Sequence, residues 1–357
     1  MKISDALLAE SGCSKRRCGG STHSVSIVVI ARNEEDHIDS CLRAALREAD
    51  SVDAAEIVFV DCGSTDKTLE VALEFPVKVV KMSHDGILTA AAAREVGLMN
   101  CAGESIVFVD GDCVLEQGWT RHAIDALEHD AEAAGVMGSL DDAYVDAYGS
   151  VSKGDQWFCT PNSSPTEVDT LGGNAVYRRS ALDKVGGFNP HIRSLEEQEL
   201  CYRLRKAGYR VLCLPHKMAT HYTEFRWSLE QVWRRYAIGL CDGYGQVLRS
   251  SIRNRFLWQY MKHENRAFLF LSALIAGLSS ICVSLLLHSG GWFFAWMILF
   301  LSAFAYLGVK NRSIRWPLCL YFIWFLNSVA LLKCALKPLK EQSHWQPDYC
   351  VVSKKHC

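Results

Sequence analysis

An α/β domain with a mainly parallel sheet, followed by C-terminal membrane-spanning helices, is the fold class that the sequence predicts. Two observations carry it. In the first part of the chain, short apolar runs end in acidic residues and alternate with helical patterns. From about residue 265, charge vanishes for two stretches of about twenty residues each, the length that crosses a bilayer as a helix. Unbroken apolar runs are the mark of strands buried on both faces, and alternation with helices gives parallel pairing through crossovers.

Residues 25–31 (VSIVVIA) predict the first strand, followed by Arg-Asn-Glu-Glu and a helical pattern through Ile38, Leu42 and Leu46. Residues 56–61 (EIVFVD) predict the second, with a turn at Gly63-Ser64-Thr65-Asp66 and a helix from Lys67. Val77 to Met82 predict a third strand, 87–99 a helix, and 105–110 a fourth strand that runs straight into Asp110-Gly111-Asp112. Ligands of such sheets bind beyond the carboxyl ends of the strands. Asn33, Glu34, Asp61, Asp66, Asp110 and Asp112 all fall there. One aspartate in that place is commonly a helix cap, which is one reading of Asp66. A group of acids points instead to a cation, with a ligand that offers hydroxyls or ring N–H donors. No Gly-x-Gly-x-x-Gly follows the first strand and no P-loop lysine motif is present, which argues against a dinucleotide cofactor or an ordinary ATPase. A nucleotide bound through its base, ribose and a metal-bridged diphosphate remains compatible.

The 357 residues suffice for roughly two domains. Thirty-eight basic residues against 40 acidic ones, a formal charge of -2, give no reason to expect nucleic-acid binding. No apolar signal-peptide core follows Met1, and the first twenty residues are polar, with Lys15, Arg16 and Arg17 together. The fifteen cysteines then read as reduced, mostly buried thiols of a cytosolic compartment. No CxxC pair occurs, and Cys13 to Cys18 is too wide for a zinc knuckle. Cys113, beside the acidic pair, reads as a packing residue and not a ligand.

Residues 267–287 and 290–309 are the two uncharged runs; a third, 316–332, is shorter and holds Asn327. Trp292, Trp296, Trp316 and Tyr321 suit interfacial aromatic belts. Arg253, Arg255, Lys262 and Arg266 precede the first run, and Lys310, Arg312 and Arg315 follow the second. Both clusters read as cytoplasmic, so His288 to Gly291 forms an outside turn. A third crossing would put Lys333, Lys337, Lys340, Lys354 and Lys355 outside, against that tendency. The other reading is a re-entrant or interfacial segment. Three crossings are the adopted expectation.

Five motifs occur in order over about residues 24–225. They are "VSIVVIARNEEDHIDSCL", "IVFVDCGSTDKT", "AAAREVGLMNCAGESIVFVDGD", "LGGNAVYRRSALDKVGGFNP" and "EEQELCYRLRKAGYRVL". Together they resemble glycosyltransferase family 2, the inverting nucleotide-sugar transferases with the GT-A fold. Cys62 replaces the second Asp of the family's Asp-Asp-Gly-Ser-Thr-Asp element, and Glu95 stands for the Asn of its Ala-Arg-Asn stretch. The resemblance implies that Asp110 and Asp112 hold Mn2+ or Mg2+ against the donor diphosphate, oxygen ligands favouring a hard cation over zinc. It implies that Asp61 contacts the nucleobase, expected to be uracil. Ala31, Asn33, Glu34 and Gly111 would lie nearby on the donor side, with Arg94 near the nucleotide.

An inverting transfer needs a base opposite the leaving group. Glu197 stands where the family's aspartate base lies, and Glu196 and Glu199 are its rivals. The plainer reading is that these acids only favour the positive end of a helix at 196–207. Gly172, Gly173 and Asn174 would let acceptor or sugar approach closely. Trp157 and Asp155, in the weakly patterned stretch 139–170, would either read the sugar or merely pack. His221, Arg234 and Arg235 would reach the diphosphate as the site closes. "QVWRR" echoes the Gln-x-x-Arg-Trp motif of processive polysaccharide synthases, with Arg235 in place of the tryptophan. Trp227, Leu229, Val232, Trp233 and Tyr236 make an amphipathic helix for the membrane surface.

The organisation expected is a polar tail (1–23), a GT-A domain (24–225), interfacial helices (226–264), a transmembrane region of two or three helices (265–336) and a basic tail (337–357). The function expected is transfer of one sugar from a UDP-sugar to a lipid-linked saccharide at the cytoplasmic face of the inner cell membrane, among polysaccharide-assembly partners. A polyprenyl-phosphate glycosyltransferase and a degenerate membrane scaffold are the alternatives.

Overall fold

The first strand forms where the sequence places it, with all seven residues of β1 (Val25–Ala31) buried. The computed structural model describes residues 24–352 apart from 53–54, 147–148, 159–163, 225–227, 339 and 341–344. The tail 1–23 with Lys15, Arg16, Arg17, Cys13 and Cys18, as well as Trp227, Lys354 and Lys355, lies outside the described residues. After β1 come α1 (Ile38–Asp50), β2 (Ala55–Asp61), α2 (Thr68–Ala72), β3 (Lys78–Met82), α3 (Ala90–Met99) and β4 (Ser105–Asp110). Helix α1 buries Ile38, Cys41, Leu42 and Ala45, the i, i+3, i+4, i+7 stripe of an amphipathic helix. Helix α3 begins at 90, three residues later than its pattern suggests, because Thr89 is its N-cap and accepts from the Ala92 N–H.

β5 (Cys113–Leu115), α4 (Trp119–His129), β6 (Ala133–Val145), β7 (Val151–Trp157), β8 (Thr166–Glu167), β9 (Ala175–Arg178), α5 (Arg179–Val185), α6 (Glu196–Lys206) and β10 (Arg210–Thr223) complete the front domain. One sheet runs in the order β11-β3-β2-β1-β4-β9-β6-β10-β5, where β11 is Tyr349–Val352. The strands β3, β2, β1 and β4 are parallel: β1 pairs with β2 and β4, and β2 with β3. The strand order reverses at β1, so the carboxyl ends of β1 and β4 flank the switch point where such sheets open a crevice. The right half is mixed. β9 pairs antiparallel with β4 and β6, while β10 lies parallel to β6 and antiparallel to β5.

Helices α7 (Leu229–Ala237), α8 (Asp242–Arg253) and α9 (Leu257–His263) follow, then α10 (Asn265–Leu286), α11 (Gly291–Lys310) and α12 (Arg315–Ala335). The last three are long and apolar enough to cross a membrane. They differ in their surroundings: α11 has no buried residue, whereas half of α12 is buried against the rest of the protein. Gly245 of α8 packs so closely that a Cβ would lie 2.5 Å from that of Cys334 on α12. Lys333 of α12 pairs with Asp242 of α8 at 3.0 Å. The segment 337–357, expected only as a basic tail, contributes a strand. Its Tyr-Cys-Val-Val run, β11 (Tyr349–Val352), is apolar and β-prone, and it pairs antiparallel with the edge strand β3.

Candidate active site

The crevice at the switch point is a cleft of about 1240 Å³. The carboxyl ends of β1 and β4 form its roof through Ala31, Glu34, Asp110, Gly111 and Asp112. Gly111 is required by close approach: a Cβ there would lie 2.6 Å from the Ala31 Cβ. Asp112 is set by backbone, since its carbonyl accepts from the Tyr222 N–H at 2.9 Å.

The acidic cluster extends beyond Asp110 and Asp112. Glu34 is pushed up to about 8 by burial and then by the charges of Asp112 and Asp110. Burial raises Asp110 as well, opposed by Arg94 and reinforced by Asp112. Register brings a fourth group to them, because His221 of β10 lies opposite Cys113 on β5 and Asp142 on β6. Its Nδ1–H donates to Asp142 Oδ1 at 2.7 Å, and Nε2 faces Asp112 Oδ2 at 3.1 Å. A carboxylate behind a histidine fixes tautomer and ring orientation in the manner of a metal ligand's support.

Ligand atoms of Asp112, Cys113 and His221 lie within 4.8 Å of one another and could hold a metal ion. Burial, followed by the charges of Asp112 and Asp110, raises the Cys113 thiol well above its ordinary value. The Cys113 thiol donates to Asp112 at 3.4 Å.

Behind the cluster sits Arg94, 2 % exposed on α3. It reaches Asp110 Oδ1 and Glu196 Oε1, each at 2.7 Å, and Glu197 Oε1 at 3.1 Å. Burial works against its charge, yet Asp110, Glu197 and Glu196 outweigh it and hold the guanidinium above its ordinary value. Glu196 is buried against Arg94, while Glu197 keeps 17 % side-chain exposure. Burial and the Glu196 charge push Glu197 up to about 8, with Arg94 acting in the opposite sense. Glu199 points elsewhere, accepting from Arg203 and from the Ser250 hydroxyl on α8. Leu195, just before α6, adopts φ 64°, an uncommon conformation that a residue without glycine's freedom holds only at a cost. It turns the chain so that the first turn of α6 enters the cleft.

The other sequence-predicted residues are placed as follows. Gly173 packs under the network, where a Cβ would lie 2.5 Å from Asp110 Oδ2 and 2.6 Å from Arg94 Nη2. Asn174 is buried and accepts from the Asp110 N–H (2.9 Å) while donating to Cys113 Sγ (3.2 Å), so it clamps the strand end. Gly172 packs against the Phe158 ring. Asn33, with φ 58°, clasps the neighbouring turn by accepting from Thr65 N–H and donating its own N–H to Ser64 Oγ. Asp61 is fully buried and accepts from the Ser64 N–H, below the wall formed by Ala31 and Cys62. Asp66 caps α2 through the Thr68 N–H and hydroxyl. Arg235 lines the cleft, and Arg234 on the same helix is exposed. Trp157 donates to Asp142, and Asp155 accepts from the Tyr144 hydroxyl. Sequence reasoning missed Asp142, whose partner lies 79 residues away and is chosen by strand register alone.

The family model for glycosyl transferase family 2 matches residues 26–186. Glycosyltransferase AglE of Haloferax volcanii is 24% identical over 190 residues, covering 52% of this chain and 62% of its own. Beta-monoglucosyldiacylglycerol synthase of Nostoc is 23% identical over 280 residues, covering 72% of this chain and 58% of its own. The chain thus spans about three fifths of the length of these relatives. Among solved structures, the mannosyltransferase PcManGT of Pyrobaculum calidifontis, in complex with GDP-Man and Mn2+, has a TM-score of 0.60 at 16% identity over 88% of both chains. That likeness is one of fold.

Proposed function

We propose that this chain, whose residues 26–186 match the family model, is an inverting transferase of glycosyltransferase family 2 that moves one sugar from a nucleotide-diphosphate donor, a UDP-sugar, to a lipid-linked saccharide. The observation that carries the reading is the gathering of Glu34, Asp110, Asp112 and His221 at a cleft that Glu197 also lines. Four groups that repel or frustrate one another at a sheet's ligand-binding edge fit a divalent cation. Asp112, Asp110 and His221 would hold it, and the imidazole favours Mn2+ over Mg2+, which prefers oxygen donors. When bound, it would neutralise charge on the leaving diphosphate. Glu197 takes the proton of the acceptor hydroxyl as that oxygen bonds to the sugar carbon and the nucleoside diphosphate departs. Arg94 holds Glu197 and Asp110 in place.

The test is transfer from UDP-sugars with added Mn2+ in membranes that contain the enzyme. Asp112→Ala should lose transfer and its metal dependence together; wild-type turnover in that variant would remove the metal role. A second reading, transfer onto polyprenyl phosphate itself, is favoured by Cys334, which stands at the end of apolar α12 and lines the same cleft as Glu197. Product analysis with polyprenyl phosphate alone separates the two.

For the membrane, we propose an even number of crossings. β11, after α12, and β3, before α10, share one hydrogen-bonded ladder and therefore one side. α12 meets the first turns of α10, where Phe270 packs on Tyr321 and Trp324 and the Ser328 hydroxyl reaches the Ala267 carbonyl. It meets the later half of α11 through Phe300 and Phe304. These contacts fit an α10–α11 hairpin that crosses, with α12 lying over its domain-side end, in place of three crossings. The basic clusters then put the catalytic domain on the cytoplasmic face, in the service of surface or exported polysaccharide assembly. Protease-cleavable tags at the two chain ends should be cut from the same side of sealed vesicles; cutting from opposite sides would restore three crossings.

A further inference from the structure

The half of the cleft away from the carboxylates is basic. Arg193, Arg235, Arg249, Lys337 and Lys340 line it, drawn from the loop before α6, from α7, from α8 and from the segment after α12. The one carboxylate lining this half, Asp242, is paired with Lys333 at 3.0 Å. Arg193 donates to the Ile238 carbonyl, a neutral group. Arg249 is half-buried and makes no hydrogen bond or ion pair among the described residues. Lys337 and Lys340 make no ion pair with a described residue. A solvated charged face would carry both signs and splay its side chains outward. Here four separate segments turn cations into one concavity, and they do so where the apolar α12 ends. Ile238, which lines the cleft, is 55% exposed, and Trp233 and Leu336, close in sequence to the lining residues Arg235 and Lys337, are 54% and 87% exposed.

We infer that this half of the cleft is the subsite for the phosphate or diphosphate that joins the acceptor to its lipid. The inference rests on the transferase reading and names its acceptor class, an anionic phosphate ester of a membrane lipid. Guanidinium forks grip phosphate oxygens in pairs and lysines add point charge. These exposed apolar side chains and the end of α12 account for the lipid. The subsite and the carboxylates then hold the two reactants at opposite ends of one cleft, with Glu197 lining the same space.

The experiment uses the full chain in phosphatidylcholine nanodiscs and measures retention of radiolabelled polyprenyl phosphate without donor. Arg249→Ala with Lys337→Ala should weaken retention about 10–100-fold, the range of charge-assisted hydrogen bonds. Arg249→Lys should recover part of it. The UDP-sugar Kd, read by calorimetry, should move less than about twofold, as expected of separated sites. If the double variant loses donor binding, the single Arg249→Gln variant is read in its place. Unchanged retention in these variants overturns the subsite. So does competition by inorganic phosphate or by phosphatidylglycerol nanodiscs at concentrations equal to that of the polyprenyl phosphate. A wild-type protein that retains polyprenyl phosphate but transfers from no nucleotide sugar sinks the transferase reading and not the subsite. Intact transfer with unaltered retention in the variants sinks the subsite alone.

Discussion

Glu197→Gln is expected to reduce turnover by about 10²–10⁴-fold, the usual contribution of a positioned base, with donor affinity kept. Glutamine preserves the shape of the side chain and its contact with Arg94 while removing the proton acceptor. The neighbouring acids set the comparison. Glu196 is spent on Arg94 at 2.7 Å and Glu199 faces Arg203 and Ser250, so Glu199→Gln should affect stability and not the chemical step. The pH profile supplies a second readout. Glu197 is pushed up to about 8, first by burial and then by Glu196, so its basic form grows as pH rises through that value. Turnover of the wild type should climb about tenfold per unit on the acid side and level off above the pKa. In Glu197→Gln the climb should vanish. A profile that is flat in the wild type would place the base elsewhere.

Arg94→Met is expected to cost about 3–5 kcal/mol of stability, because it strands buried charge and does not merely delete a contact. Asp110, Glu196 and Glu197 all lean on this one guanidinium. Without it the pKa values of Asp110 and Glu197, already raised by burial, rise further above those of the unfolded chain. Carboxyls raised in the folded state cost stability above their unfolded pKa and cease to cost it once protonated. The deficit in thermal midpoint between Arg94→Met and wild type should therefore shrink as pH falls toward the carboxylate range. A deficit that is constant with pH would mean that Arg94 acts through packing, for example against the Phe188 ring 5.8 Å away.

What the sequence made legible was local. β1, β2 and β4 announce themselves because strands buried on both faces must be apolar throughout, and their acidic ends mark the crevice. Asp110 and Asp112 stand out because they directly follow the apolar run of β4. Long-range register could not. His221 joins Asp112 only because β10 inserts between β6 and β5. Arg94 lines the cleft, and its engagement by three carboxylates from two other elements is a product of the fold. Asn33 and Asn174, polar and near the motifs, serve the backbone of the turns that carry the acids. The basic half of the cleft was invisible for a related reason, since its five cations are scattered between residues 193 and 340 and form no run.

The strand β11 also imposes an order of events on biosynthesis. A ribosome that has finished the whole front domain has not yet made the residues that pair with β3. Until α10, α11 and α12 have been handed to the bilayer, that outer strand presents its unsatisfied N–H and C=O groups to the cytosol, the template on which other chains add. Val79, Val80 and Met82, apolar and destined for burial, sit on it. The domain is thus sealed only after membrane insertion succeeds, and a chain that stalls at the translocon keeps a sticky, recognisable flank by which quality-control proteases and chaperones can sort it.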